Sequence, residues 1–275
     1  MLQYLGGLLV CGFCLFIIML LGVRFGIITT ILTWGFVYYY FLRCIIIFSC
    51  PIELKEKINN FILKLKGKKG EKQVQKELEI LKQQKNIKVY NSLYLQKIIN
   101  NQFISSETDH VIITDKKQII LIETKNIAGT YHFDANDNYW KCIGFKKNNK
   151  WFTRYTKQNP IKQNEKHLQR FSEFLKENNL EGYTLHNLVV MTNKKFNMWH
   201  CTNKDNIPYC IANLSNMNKL IYNTIENKKC DISNLENDEL VKKLDVIDKY
   251  NKENNEEVKE KHLRYIYENK RNFEP

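Results

Sequence analysis

Apolar residues fall into three patterns along this chain: a continuous run over 2–49, an alternating run around position 110, and helical spacing elsewhere. The alternating region reads Thr108-Asp-His-Val-Ile-Ile-Thr114, then Asp115-Lys116-Lys117, then Gln118-Ile-Ile-Leu-Ile-Glu-Thr-Lys125. Two β-branched runs around a short polar break predict a β-hairpin. With Asp115-Lys116-Lys117 as the loop, Ile113 pairs with Ile119, Val111 with Leu121, and Asp109 lies opposite Glu123. Side chains alternate along a strand, so Lys125 joins both carboxylates on one face. The other face (Ile112, Ile120, Ile122) is apolar apart from His110. The hairpin is therefore expected inside a sheet covered on both sides.

Helical spacing predicts the flanking elements. Residues 52–66 read as a short basic amphipathic linker helix, broken by Gly67-Lys68-Lys69-Gly70. From Glu71 the positions Val74, Leu78 and Leu81 recur at helical intervals, with Glu71 on the same stripe. Ile87–Leu95 reads as the first strand, and Asn126–Gly129 as a turn after the hairpin. Tyr131–Phe133, Trp140–Gly144 and Trp151–Tyr155 are further short strands, with Trp140 and Trp151 assigned to the core. Asn159-Pro160 reads as N-cap and first helical residue of a helix carrying Gln163, His167, Phe171 and Leu175. Strands at Leu188–Met191 and Pro208–Ala212 follow, then a helix with Ser215 as cap and Leu220, Ile221 and Ile225 inside. Together these elements predict one α/β domain over 67–228. The tail 229–275 is charged and helical, with a thin stripe of Leu240, Leu244 and Ile247. It is either a solvated appendage or a helix that docks a protein partner or a second copy.

The N-terminal run changes the picture. As one helix it would reach about 70 Å at ~1.5 Å per residue, far beyond a hydrocarbon core of about 30 Å. Arg24 would also sit near its middle. Two helices, 3–22 and 27–47, turning at Gly22-Val-Arg-Phe-Gly26, remove both difficulties; a single span over 27–47 is the rival. A transmembrane region over 1–50 is thus expected, with Trp34 and Tyr38–Tyr40 in an interfacial belt. The lysines that follow (55, 57, 64, 66, 68, 69) place the remaining chain in the cytoplasm by the positive-inside bias. Net charge is +13 from 42 Lys+Arg against 29 Asp+Glu, which suits a polyanion or an anionic bilayer surface. Of the eight cysteines, Cys142, Cys201, Cys210 and Cys230 show no metal-ligand spacing, and Cys11-Gly-Phe-Cys14 matches C-x-x-C but lies in an uncharged run without redox context.

Asp109 and Glu123 facing each other across strands repel, and the arrangement asks for a cation between them. A hard divalent ion such as Mg²⁺ fits oxygen ligands. The competing reading is a surface hairpin whose Glu and Lys are solvated.

Several fragments then appear in order: Gly70-Glu71 opening a helix, Thr108-Asp109-His110-Val-Ile-Ile, Ile122-Glu123-Thr-Lys125-Asn126-x-x-Gly129, Trp140, and Asn159-Pro160-x-x-Gln163. Together, over about 67–185, they resemble the NERD (nuclease-related) domain, related to the PD-(D/E)xK nuclease superfamily. The resemblance implies a restriction-endonuclease-like α/β/α core. It implies Asp109, Glu123 and the Thr124 backbone carbonyl as ligands of Mg²⁺ or Mn²⁺. Lys125 would orient or deprotonate the attacking water, Glu71 would complete the shell, and Gln163 would contact the scissile strand. His167 is one turn from Gln163 on the same helix face, a further candidate for the phosphate groove; His110 points away and is read as packing or hydrogen-bonding. Thr108 stands where the superfamily name has Pro. The function implied is membrane-anchored, metal-dependent hydrolysis of DNA or RNA. The alternative is a nucleic-acid-binding or membrane scaffold domain on the same fold without catalysis.

Overall fold

A computed structural model describes residues 34–40, 52–99, 102–134, 137–145, 151–202, 211–226 and 235–271. The chain divides into two compact units, Met1–Lys64 and Leu65–Pro275. Of the two expected spans, 3–22 lies outside the described residues, and only 34–40 of 27–47 is described, as helix. Among the described residues no helix is long and apolar enough to cross a membrane.

The first long helix, α1, runs unbroken over Ile52–Gln84. The expected break at Gly67–Gly70 does not occur, and packing gives the reason. A Cβ on Gly70 would lie 2.8 Å from Thr192 Oγ1, 3.1 Å from Asn126 Cβ and 3.3 Å from Thr124 Cγ2. Glycine serves close approach of the helix to two strands here, while the surrounding residues keep the helix going.

Strands β1 (Ile87–Ile99), β2 (Gln102–Thr114) and β3 (Gln118–Lys125) form an antiparallel meander. Three more strands follow, β4 (Gly129–Asp134), β5 (Tyr139–Phe145) and β6 (Trp151–Gln158), and then α2 (Pro160–Glu177). The chain next enters β7 (Thr184–Met191), which pairs in parallel with β3 from Gln118–Thr184 to Lys125–Met191. Strands β8 (Phe196–Thr202) and β9 (Ile211–Asn213) precede α3 (Leu214–Glu226). The main sheet has the order β1-β2-β3-β7-β9, and a second sheet has the order β6-β5-β4-β8. Strand β8 and the separation into two sheets were not foreseen. Ser215 lies inside the first turn of α3 rather than before it.

Helices cover both faces of the main sheet. On one, Val74, Leu78 and Leu81 of α1 and Met217, Ile221 and Ile225 of α3 pack with Ile112, Ile120, Ile122 and Val190. On the other, Phe171 and Leu175 of α2 pack with Val111, Ile113, Ile119 and Leu121. Each such buried aliphatic side chain contributes about 1.5–3 kcal/mol. That second face also takes up the tail: α4 (Glu239–Glu253) buries Leu240, Val241 and Leu244 in the same cluster. Asp238 caps α4 through the Leu240 and Val241 N–H groups, and α5 (Asn255–Arg271) follows. The stripe read from the sequence is thus spent inside the chain, as sheet cover. Trp140 is fully buried with Tyr131, as expected for core; the Trp151 side chain lies outside the described residues.

Candidate functional site

The hairpin has the anticipated register. Ile113 pairs with Ile119, Val111 with Leu121 and His110 with Ile122, and the next step brings Asp109 level with Glu123. Thr114 Oγ1 accepts from the Lys116 and Gln118 N–H groups at 3.3 and 3.2 Å, and Lys117 adopts φ 52°. A left-handed last residue suits a three-residue hairpin loop, and an odd loop puts both carboxylates on one face. Asp109 Oδ2 accepts the Thr124 N–H at 2.7 Å. Lys125 Nζ donates to Glu123 Oε1 and, at 3.0 Å, to Gln163 Oε1.

Helix α2 supplies the second wall. Asn159 caps it, its side chain accepting the Ile161 N–H at 2.9 Å. Asn164, fully buried, pins it across the sheet, with Nδ2 donating to Leu121 O at 2.9 Å and to Asn187 Oδ1 at 2.8 Å. One residue before Asn164, Gln163 meets Lys125. One turn after Gln163, His167 places Nε2 3.6 Å from Glu123 Oε2 and Nδ1 2.8 Å from Ser106 Oγ. Glu71 follows Gly70 on α1, near enough for the charges of Glu107, Glu123 and Lys125 to act on it. His110 is buried on the other face, Nδ1 2.6 Å from Asn91 Oδ1. All the anticipated side chains except His110 therefore come together at one end of the main sheet.

Electrostatically the site is a cluster of carboxylates around one ammonium. Burial, then the charge of Glu123, raises Asp109 well above the usual carboxylate range, against the opposing Thr124 N–H and Lys125. Burial and the charges of Glu107 and Glu123 raise Glu71 as well. Burial acts to lower Lys125, but Glu123, Asp109 and Glu71 outweigh it and keep the amine above its ordinary value. Burial lowers His167 more than the charge of Glu123 restores it. Beside Asp109, Ser92 of β1 adopts φ 52° between the Asn91–His110 and Leu93–Thr108 pairs. A non-glycine residue in that region stores about 1 kcal/mol or more of strain.

A second group was not foreseen. Tyr94 donates to Glu107 Oε1 at 2.6 Å, and His262 of α5 lies with Nε2 3.7 Å from Glu107 Oε2 and Nδ1 2.9 Å from Ser105 Oγ. The Tyr94 and His262 rings meet edge to face at 5.3 Å. Glu107 precedes Asp109 by two on the same strand, a signal that alternation offered. Nothing local marks His262.

Among the described residues no three His, Cys, Asp or Glu side chains converge as a metal cage. Asp109 and Glu123 nevertheless suit a cation that keeps most of its own water. Both are hard oxygen donors, both are held within the fold, and burial together with the charge of Glu123 raises Asp109. Mg²⁺ typically binds through one or two carboxylates plus water and substrate oxygens, so this pair fits it.

No curated protein and no solved structure matches the chain. Residues 66–192 match the family model described as NERD, the nuclease-related domain. That span runs from α1 to the residue after β7 and holds Glu71, Asp109, Glu123, Lys125 and Gln163, whereas His262 lies beyond it. The sequence fragments and the family match agree: residues 66–192 of this chain, set in a mixed α/β fold, are similar to the NERD, or nuclease-related, domain.

Proposed function

We propose that this chain is a membrane-anchored, metal-dependent nuclease that hydrolyses phosphodiester bonds of DNA or RNA. The observation that carries the reading is Lys125, hydrogen-bonded to Glu123 and Gln163 beside Asp109. A binding module has no need of two carboxylates held against one lysine. The order α1, β1-β2-β3, α2, β7, with β7 parallel to β3, supports a restriction-endonuclease-like core.

Asp109 and Glu123, with the Thr124 backbone carbonyl, would hold Mg²⁺ or Mn²⁺, which supplies Lewis acidity toward a phosphoryl oxygen. Gln163 aims the Lys125 ammonium, which stays protonated among its carboxylates and stabilises charge growing on the phosphate. A charged Lys125 orients the attacking water rather than taking its proton. Glu71 closes the cluster on the α1 side and is positioned to hold that water. Residues 2–49 anchor the chain in a bilayer, and the lysines after them keep the domain on the cytoplasmic side. A protein partner or second copy docking on the C-terminal helix would meet Leu263 and Ile266, both exposed on α5.

The test is cleavage of plasmid, linear and single-stranded DNA and of RNA by the full chain in detergent, with Mg²⁺, Mn²⁺ or EDTA. Cleavage that needs the metal and is lost in Asp109→Ala supports the reading. Binding of nucleic acid without cleavage in either metal replaces it with the alternative, a binding or scaffold domain on a nuclease-like fold. A reporter fused at residue 1 tests the anchor: a cytoplasmic signal supports two spans, an external one a single span.

A further inference from the structure

Strands β3, β7 and β9 run parallel and end on the same side of the main sheet, at Lys125, Met191 and Asn213. Ligands of open α/β sheets bind outside such carboxyl ends. Two clefts of about 480 and 510 Å³ open there and share Phe196 and Asn213 in their walls. The first reaches from Gln73 of α1 to Asn218 of α3, and the second continues along α3 past Asn216, Lys219 and Asn223. The inner end adjoins the carboxyl end of β3, the strand that carries Glu123 and Lys125. Thr192, which lines the first cleft, donates its backbone N–H to Lys125 O at 3.0 Å, and Asn193 donates to Asn126 Oδ1 at 3.0 Å.

The lining has a definite chemistry. Among the described residues the amides of Asn197, Asn213, Asn216 and Asn223 make no side-chain hydrogen bond, so donors and acceptors stand open along the groove. Lys194 and Lys219 are exposed beside them. The one carboxylate, Glu77, already accepts from Asn218 Nδ2 at 3.3 Å. Phe196, stacked on Tyr131 at 5.7 Å, and Met198, 45 % exposed, offer apolar surface. Amides pair with base edges, apolar and aromatic surfaces take base faces, and ammonium groups take phosphates. Each cleft falls in the size range of small-ligand sites, about 300–1,000 Å³. A duplex buries its base faces and is read by elements that protrude into its grooves. A concave amide-lined groove instead suits bases already unstacked.

We infer that this groove binds a single-stranded polynucleotide and leads it toward the Asp109–Glu123 end of the sheet. The inference rests on the nucleic-acid reading above but not on catalysis. Its test is therefore run in EDTA, with the full chain in detergent. Fluorescence anisotropy measures binding of labelled single-stranded DNA, single-stranded RNA and a blunt DNA duplex of equal length. At least one single strand binds tenfold or more tighter than the duplex. Lys194→Glu with Lys219→Glu weakens that binding at least tenfold and makes its salt dependence shallower, by a slope of about 1.4 for two phosphate contacts on a single strand. Asn213→Ala with Asn216→Ala weakens it at least threefold at unchanged salt slope, while Lys249→Glu with Lys261→Glu stays within twofold of wild type. Duplex bound as tightly as single strands, or groove variants that fold and bind like wild type, overturns the inference. The two ideas fail separately. No cleavage in Mg²⁺ with single-strand selectivity intact removes the nuclease and keeps the groove; cleavage indifferent to the groove variants does the reverse.

Discussion

The Thr124 backbone N–H donates to Asp109 Oδ2 at 2.7 Å, so the strand that carries Glu123 and Lys125 also holds the carboxylate opposite them. That bond keeps Asp109 beside a like charge in a buried place, which raises its affinity for protons. A raised carboxyl means that the ionised form costs stability at neutral pH when no cation is present. Asp109→Asn keeps an acceptor for Thr124 and removes the charge. In EDTA at pH 7 the variant should gain about 1 kcal/mol, or 2–4 °C in Tm, while losing metal-dependent cleavage. A lower Tm would mean that the carboxylate is stabilising where it stands.

Lys125 is the counter-charge to a Glu123 side chain only 4 % exposed. Lys125→Ala should cost about 1–3 kcal/mol, less than the roughly 3–5 kcal/mol for stranding one partner of a fully buried pair because Lys125 is partly open. Cleavage should vanish while nucleic-acid binding survives, since many lysines remain to meet phosphate. Lys125→Arg should rescue poorly, because a planar fork does not reproduce a point charge set between Glu123 and Gln163. Denaturant titration and single-turnover cleavage together measure this. Normal turnover in Lys125→Ala would remove the residue from the chemistry.

Two glycines three positions apart in α1 should respond in opposite directions. At Gly67 an added Cβ meets nothing nearer than Glu71 Oε1 at 3.8 Å, so Gly67→Ala should gain up to about 1 kcal/mol of helix propensity. At Gly70 the same methyl collides with Thr192 and Asn126. Gly70→Ala should lose about 1–3 kcal/mol by overpacking and reduce cleavage by shifting Glu71. Equal effects in urea melts would show that α1 does not approach the strands this closely.

His110 sets an acid limit. Burial lowers its imidazole to about 4 from 6.5, so the unfolded chain takes up the proton first as pH falls. Stability is unaffected above about 6.5, declines between there and about 4, and levels off below, by up to about 3 kcal/mol. The neighbouring carboxylates titrate too, so the readout is a difference: His110→Asn should show a flatter loss of urea midpoint between pH 7 and 4.5 than wild type. Parallel curves would refute it.

The tail should be indispensable to folding. Leu244 of α4 is fully buried in one cluster with Val111, Leu121 and Phe171, and Leu244→Ala should cost about 2–5 kcal/mol. A loss below about 0.5 kcal/mol in denaturant melts would mean that α4 lies loosely on the sheet.

Alternation in the sequence was enough to put Asp109, Glu123 and Lys125 on one face. A strand repeats every two residues and a three-residue loop sets the pairing, so the register follows from about fifteen neighbouring positions. The start of α2 was equally legible, because Asn159 and Pro160 act on the backbone groups next to them. With that start known, Gln163 and His167 follow on one helical face. Gly67 and Gly70 misled for the opposite reason: what Gly70 accommodates is Thr192 and Asn126, residues distant in sequence. The stripe of α4 carried no mark of where it would dock, since hydrophobic burial is not directional. His262 reaches Glu107 only because α5 packs beside β2. Local periodicity and turn chemistry determine which side chains share a face. Which faces meet, and which buried polar atoms find each other across more than a hundred residues, is decided by the packing of the whole domain.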